Sequence, residues 1–253
     1  MTDFLDTPSG RRIAYHRTDG QGTGIVFLGG FMSDMEGTKA VALQDWAKAQ
    51  GRPFLRFDYS GHGQSDGKFV EGCIGEWAAD AQAAIEALTD GPQVLVGSSM
   101  GGWISLLCAL VRPQRVPGLV LLAPAPDFTE KLMWARFGEA EKRQILEGGS
   151  WTRPSPYDED GYPITRSLIE DGAKWSILDD QISFDGPVRI LHGALDTDVP
   201  PDHSRQLVDK LSSPDVVWTL IKDGDHRLSR AEDINRLIRE TLALADQLDA
   251  ASA

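Results

Sequence analysis

The strand-like run Gln93-Val94-Leu95-Val96 passes without a spacer into Gly97-Ser98-Ser99-Met100-Gly101-Gly102. The helix-like run Trp103-Ile104-Ser105-Leu106-Leu107-Cys108-Ala109-Leu110-Val111 follows at once. A chain that turns this abruptly from strand to helix needs small residues on both sides of the turn. A side chain at Gly97 or Gly101 would meet the tightly curled backbone. The pattern is G-x-S-x-G in the strand–turn–helix setting that gives it meaning, and it predicts Ser99 as a nucleophile held out at the strand's end. The competing reading is a glycine-rich turn of any α/β protein, with a serine that only caps the helix.

A serine hydroxyl is a weak nucleophile at neutral pH, so this elbow requires a histidine base and an acid to orient it. Around such an elbow the chain order is serine, then Asp or Glu, then His. After the aliphatic run Val188-Arg189-Ile190-Leu191 comes His192-Gly193-Ala194-Leu195-Asp196-Thr197-Asp198. Asp196 is the expected acid, at the H-G-x-x-D position, and Asp198 is its near competitor. Both also suit a reading as solvated carboxylates in the turn before Pro200 and Pro201. Of the five histidines, His16, His62 and His192 precede the acid, which leaves His203 and His226. His203 falls in the first turn of an expected helix. His226 follows the strand-like run Val216–Ile221 in the loop where a base belongs, and is preferred.

The developing oxyanion requires backbone donors. One is expected from Met100, the residue after the nucleophile. The other is expected from Phe31, because Gly29-Gly30 after the early strand Gly24–Leu28 would let the backbone approach a substrate carbonyl.

Strand and helix signals alternate along most of the chain, the pattern of a mostly parallel sheet with helices on both faces. Strands are expected at 24–28, 54–59, 93–96, 116–122, 188–191 and 216–221. Helices are expected after the first of these and near 73–88, 102–111, 202–211 and 234–248. The alternation breaks over 127–180, where Trp134, Phe137, Trp151, Tyr157, Tyr162 and Trp175 occur with Pro154, Pro156 and Pro163. A connection this long in one domain is expected to be functional. Residues 1–126 and 181–253 are read as the core and 127–180 as a cap, with Phe31, Trp134, Trp151 and Trp175 as expected substrate contacts.

The length suits a single domain of this class. Two cysteines, Cys73 and Cys108, give no disulfide framework. The net charge of −13 disfavours nucleic acid and anionic membrane surfaces. Residues 1–19 show neither a signal peptide nor a membrane span, which leads to an expected cytosolic location without integral membrane association. No Cys/His cluster and no phosphate-cradling loop is present, so neither metal nor cofactor is expected. The run Arg56-Phe57-Asp58-Tyr59-Ser60-Gly61-His62-Gly63-Gln64-Ser65-Asp66-Gly67 gathers His62, Asp58 and Asp66, and is read as organising a loop rather than as catalytic.

Over essentially its whole length the chain resembles the α/β-hydrolase superfamily, whose fold implies about eight sheet strands. Gly37-Thr38-Lys39-Ala40, Arg56–Gly61, Asp90-Gly91-Pro92-Gln93, Gly97–Trp103, Leu191-His192-Gly193 and Asp225-His226-Arg227 are similar to a narrower group. That group comprises the palmitoyl-protein thioesterase and mycophenolic acid acyl-glucuronide esterase type of abhydrolase-domain proteins. The resemblance implies a Ser99–Asp196–His226 triad acting on acyl thioesters or activated acyl esters, free or carried on a protein. A broad carboxylesterase or lipase would use the same residues. A dehalogenase or epoxide hydrolase would need Asp in place of Ser99, and a catalytically silent ligand-binding protein would need none of them.

Overall fold

Strands buried on both faces read as unbroken apolar runs, and the middle of this molecule is made of them. The computed structural model describes residues 2–154 and 159–252; Pro156 and Tyr157 of the expected cap lie outside the described residues. The sheet begins with Asp3–Asp6 (β1), Arg12–Thr18 (β2), Gly24–Leu28 (β3), Phe54–Phe57 (β4), Gln93–Ser98 (β5) and Gly118–Leu122 (β6). Every residue of β3, β4, β5 and β6 is buried. After an insertion carrying the short hairpin Ser150–Arg153 (β7) and Tyr162–Thr165 (β8), the sheet is completed by Val188–Gly193 (β9) and Val216–Ile221 (β10).

The order is β1-β2-β4-β3-β5-β6-β9-β10. β1 and β2 pair antiparallel, as do β2 and β4, and every other neighbour pair is parallel. The sequence reading assigns no strand before Gly24. The pairing of β2 with β4, from Tyr15 opposite Phe57 to Thr18 opposite Phe54, is what recruits this polar, half-exposed segment. Such long-range pairing leaves little trace in local composition.

Alternation along β3 divides the core into two layers. Ile25 and Phe27 face helices Thr38–Ala49 (α1) and Ala231–Ser252 (α7), through Ala40, Leu43, Leu237 and Leu244. Val26 and Leu28 face the layer of Ile74–Leu88 (α2), Met100–Val111 (α3) and, further along the sheet, Pro201–Lys210 (α6). Trp77 and Trp103 are fully buried in this second layer. Side chains of this size each contribute about 3–5 kcal/mol against truncation to Ala.

Between β6 and β9 the chain leaves the sheet. It forms a π-helical turn Thr129–Met133, helix Glu139–Gly148 (α4), the β7–β8 hairpin and helix Arg166–Gly172 (α5). The neck of the insertion is closed by one buried side chain. The Asp127 carboxylate accepts the Ile177 and Leu178 N–H groups, each at 2.9 Å, so the outgoing and returning strands of chain are tied together. Two further bonds moor the insertion to the helices below: Trp103 Nε1–H donates to the Trp175 carbonyl at 3.2 Å, and Gly75 N–H to Asp171 at 2.8 Å.

Candidate active site

Parallel strands all end at the same edge of a sheet, and the loops beyond that edge are where an open α/β fold forms its sites. Five non-glycine residues have positive φ among those described: Met32 after β3, Ser99 after β5, Ala123 and Asp127 after β6, and Leu228 after β10. Backbone strain of this kind costs about 1–3 kcal/mol per residue and persists where packing enforces it.

Ser99 has φ 55° and ψ −116°, between β5 and α3. A Cβ on Gly97 would strike the Gly101 carbonyl, and one on Gly101 would strike that of Leu28, so both glycines are required by close backbone approach. Ser99 occupies the N-cap position of α3, yet its side chain makes no capping hydrogen bond. Its hydroxyl points instead to His226 Nε2, at 3.2 Å. The capping alternative is therefore not what the geometry contains.

The His226 ring donates from Nδ1 to Asp196 Oδ2 at 2.8 Å. The other carboxylate oxygen, Oδ1, accepts the Asp198 and Val199 N–H groups, both at 2.9 Å. A second ring, His192, approaches Oδ2 at 3.2 Å through Nε2. Burial alone would push the Asp196 carboxyl up, but the hydrogen bonds from His192 and His226, the His226 charge and the Val199 N–H hold it down, at about 2. Asp196 therefore stays an anion and fixes the orientation of His226.

The turn after β9 thus brings Asp196, not Asp198, against the His226 ring. Asp196, Asp198 and His226 have atoms within 4.8 Å of one another, a spacing that a cation could use. Both oxygens of Asp196 are already occupied by hydrogen bonds. His203, the other histidine allowed by chain order, is buried on α6 and donates from Nε2 to the Pro126 carbonyl at 2.7 Å.

Met100 follows Ser99 directly, and Phe31 lines the same cavity as Ser99 and Met100. Met100 is the first residue of α3, so its N–H has no helical acceptor one turn back. Gly30 lies so close that a Cβ there would be 3.5 Å from Ser99 Cβ. Above them is a cavity of about 580 Å³ that reaches Ser99 and His226. This is within the range of about 300–1,000 Å³ usual for small-molecule sites.

Its apolar wall includes Phe31, Phe128, Leu132, Met133 and Tyr162. The Phe31 ring meets Phe128 and Tyr162 edge-on at 5.6 and 5.9 Å. The expected contacts Trp134, Trp151 and Trp175 do not line it among the described residues. Instead the Trp134 ring lies under the Lys142 ammonium, Trp151 packs edge-on against Phe137 at 5.0 Å, and Trp175 presses on Gly75 of α2. These rings hold the insertion together and to the core. Tyr162 belongs to the aromatic set that marks the insertion in the sequence, whereas Leu132 and Met133 carry no distinguishing signal, because which side of the insertion faces the site depends on how the insertion folds.

The cavity also carries three cations, Lys39, Arg153 and Arg227. Burial, with Arg227 close by, pushes the Lys39 ammonium down to about 8. Its Nζ donates to the Arg227 carbonyl at 2.5 Å.

The 56–67 stretch has no part in this chain of contacts. Asp58 accepts the Met35 and Gln64 N–H groups at 2.6 and 2.8 Å, and Ser60 is held through its N–H and hydroxyl by Asp80. His62 packs among Tyr59, Phe69 and Trp77. Cys108 is fully enclosed in α3, and burial pushes its thiol up to about 12.

The model of the alpha/beta hydrolase fold family matches residues 25–163, more than half of the chain. The chain belongs to the α/β-hydrolase family. This α/β hydrolase is 40% identical to "Palmitoyl-protein thioesterase ABHD10, mitochondrial" of Rattus norvegicus, over 97% of this chain and 82% of the rat protein. The human protein of that name is 39% identical over 97% of this chain and 80% of its own length. Among solved structures, a putative hydrolase from Agrobacterium vitis superposes with a TM-score of 0.93 at 39% identity, covering 97% of this chain and 98% of that one. Mouse alpha/beta hydrolase domain-containing protein 10 gives 0.91 at 39% identity, over 98% and 99%.

These relatives correct the cytosolic expectation. The mammalian proteins are named mitochondrial, and a polar run over residues 1–19 is no guide to compartment. Among the described residues no helix is long and apolar enough to cross a membrane.

Proposed function

We propose that this α/β hydrolase is a serine hydrolase of acyl thioesters or activated acyl esters, working through an acyl-enzyme on Ser99. The observation that carries the reading is the unbroken hydrogen-bond chain from Asp196 through His226 to a hydroxyl that no helix cap uses. His226 Nε2 takes the Ser99 proton as Oγ attacks the acyl carbon. The Phe31 and Met100 N–H groups receive the oxyanion, and the protonated imidazole gives its proton to the departing thiol or alcohol. Water then enters, loses a proton to His226 and releases the acid. Asp196 keeps the ring in the tautomer with the proton on Nδ1 throughout.

Residues 127–180 act as a cap on the core of 1–126 and 181–253, and the apolar wall of the cavity suits an acyl chain. The name palmitoyl-protein thioesterase carried by relatives at about 40% identity supports a thioester substrate, a small molecule or an acylated protein. Lys39, Arg153 and Arg227 around the same cavity favour a leaving group that carries a carboxylate or phosphate, which agrees with acyl-glucuronide hydrolysis as a second activity.

The test is kcat/KM for matched acyl esters and thioesters of increasing chain length, with wild type and Ser99→Ala in parallel. The expected result is a rise toward long chains, thioesters ahead of esters, and a loss on the order of a millionfold in the variant. A preference for short esters would favour a broad carboxylesterase. Near-native turnover by Ser99→Ala would overturn the reading.

A further inference from the structure

The triad acid has a second histidine on it. His192 is the fifth residue of β9 and wholly buried, four positions before Asp196. Its Nε2 is 2.9 Å from the Val199 carbonyl and 3.2 Å from Asp196 Oδ2. Both neighbours are acceptors without a proton to give, so Nε2 must carry the hydrogen. On the far side of the ring, Nδ1 is 2.7 Å from the hydroxyl of Ser204, itself fully buried on α6. A hydroxyl can donate to the bare nitrogen of that tautomer, so Ser204 fixes the ring from behind.

We infer that His192, locked by Ser204, is a positioning residue for the reaction: it supplies Asp196 Oδ2 with a second ring N–H opposite that of His226. This rests on the proposed serine-hydrolase reading. Asp196 then accepts two backbone N–H groups on Oδ1 and the His226 N–H on Oδ2, where the His192 N–H, bonded to the Val199 carbonyl at 2.9 Å, also reaches at 3.2 Å, so both oxygens of the carboxylate are held. The carboxylate's charge is shared between the two rings, which tempers its hold on His226. The other titratable groups around the ring are His203, bonded to Pro126, and Asp198 in the turn beyond Asp196.

Two substitutions separate the ring's nitrogens. His192→Asn places an amide near Nδ1 and keeps a partner for Ser204 but loses the donor to Asp196; His192→Gln reaches the position of Nε2 and restores it. In His192→Asn, kcat should fall about tenfold or more with KM unchanged, the size expected for one lost hydrogen bond to a charged group. The acid limb of its kcat/KM profile should move to higher pH by about one unit, because a less satisfied Asp196 holds the protonated His226 more tightly. His192→Gln should recover most of kcat and the limb. Ser204→Ala, the variant least disturbing to the core, should shift both in the same direction as Asn.

Equal losses in Asn and Gln with the limb in its wild-type place would reduce His192 to packing and overturn the inference. So would an unmoved kcat and limb in Ser204→Ala, which decides the matter if the His192 variants fail to fold. Absence of Ser99-dependent turnover in the wild type would overturn both readings, whereas a normal wild-type enzyme with unaffected variants overturns this one alone.

Discussion

Asp196→Asn changes one oxygen to an amide nitrogen and leaves the shape of the site in place. Oδ1 accepts two backbone N–H groups at 2.9 Å, so the amide oxygen must stay there and the NH₂ must take the place of Oδ2. That puts a donor opposite His226 Nδ1, 2.8 Å away. The ring can escape only by moving its proton to Nε2, where it can no longer accept from Ser99. A wrong-tautomer change of this kind lowers kcat by about ten-thousand-fold in a serine protease, and the same order is expected here.

The stability cost follows from the carboxyl's value of about 2 against an ordinary 3.8. That depression corresponds to about 2 kcal/mol. Because the folded value lies below the unfolded one, the contribution is fully present above about pH 4 and is lost as pH falls toward 2. The variant should therefore be less stable than wild type by about 2 kcal/mol at pH 7, and the gap should close between pH 4 and 2. Single-turnover acylation with an activated ester and urea unfolding across this pH range measure both quantities, with Asp198→Asn as the companion, expected to lose less than about tenfold in kcat. A larger loss in Asp198→Asn, or a stability gap that persists unchanged to pH 2, would rule out Asp196 as the carboxylate that orients His226.

Asp127→Ala should free the neck of the insertion, leaving two N–H groups without their acceptor at a cost of about 2–3 kcal/mol; limited proteolysis should then cut within 127–178 faster than in the core. Leu132→Ala should lower kcat/KM for long acyl esters about tenfold by widening the apolar wall, while Trp175→Ala, off the cavity, should lower Tm and leave KM in place. A KM change in Trp175→Ala larger than that in Leu132→Ala would contradict the assignment of the wall.

What the sequence reveals here depends on how local the constraint is. Gly97 and Gly101 are required by backbone approaches within one strand–turn–helix unit, so the elbow can be read from adjacent residues. The meeting of Ser99, Asp196 and His226 follows from chain order along parallel strands that end at one edge. β2 escapes notice because its pairing is set by β4, some forty residues away, and β1 is added only as a hairpin partner at the outer edge of β2. The tryptophans of the insertion attract attention by size, yet the insertion packs Trp151 and Trp175 inward or against α2 and turns Leu132 and Met133 to the cavity. His192 is passed over because chain order excludes it as the base. Its contact with Asp196 arises only when the turn after β9 folds back over four residues.

The acyl-enzyme on Ser99 is tested most directly by intact-mass analysis of the enzyme quenched during turnover of a long-chain acyl thioester. A transient mass gain equal to the acyl group is expected, mapping to Ser99 and absent from Ser99→Ala. Turnover without any such adduct, or an adduct that survives in Ser99→Ala, would contradict it.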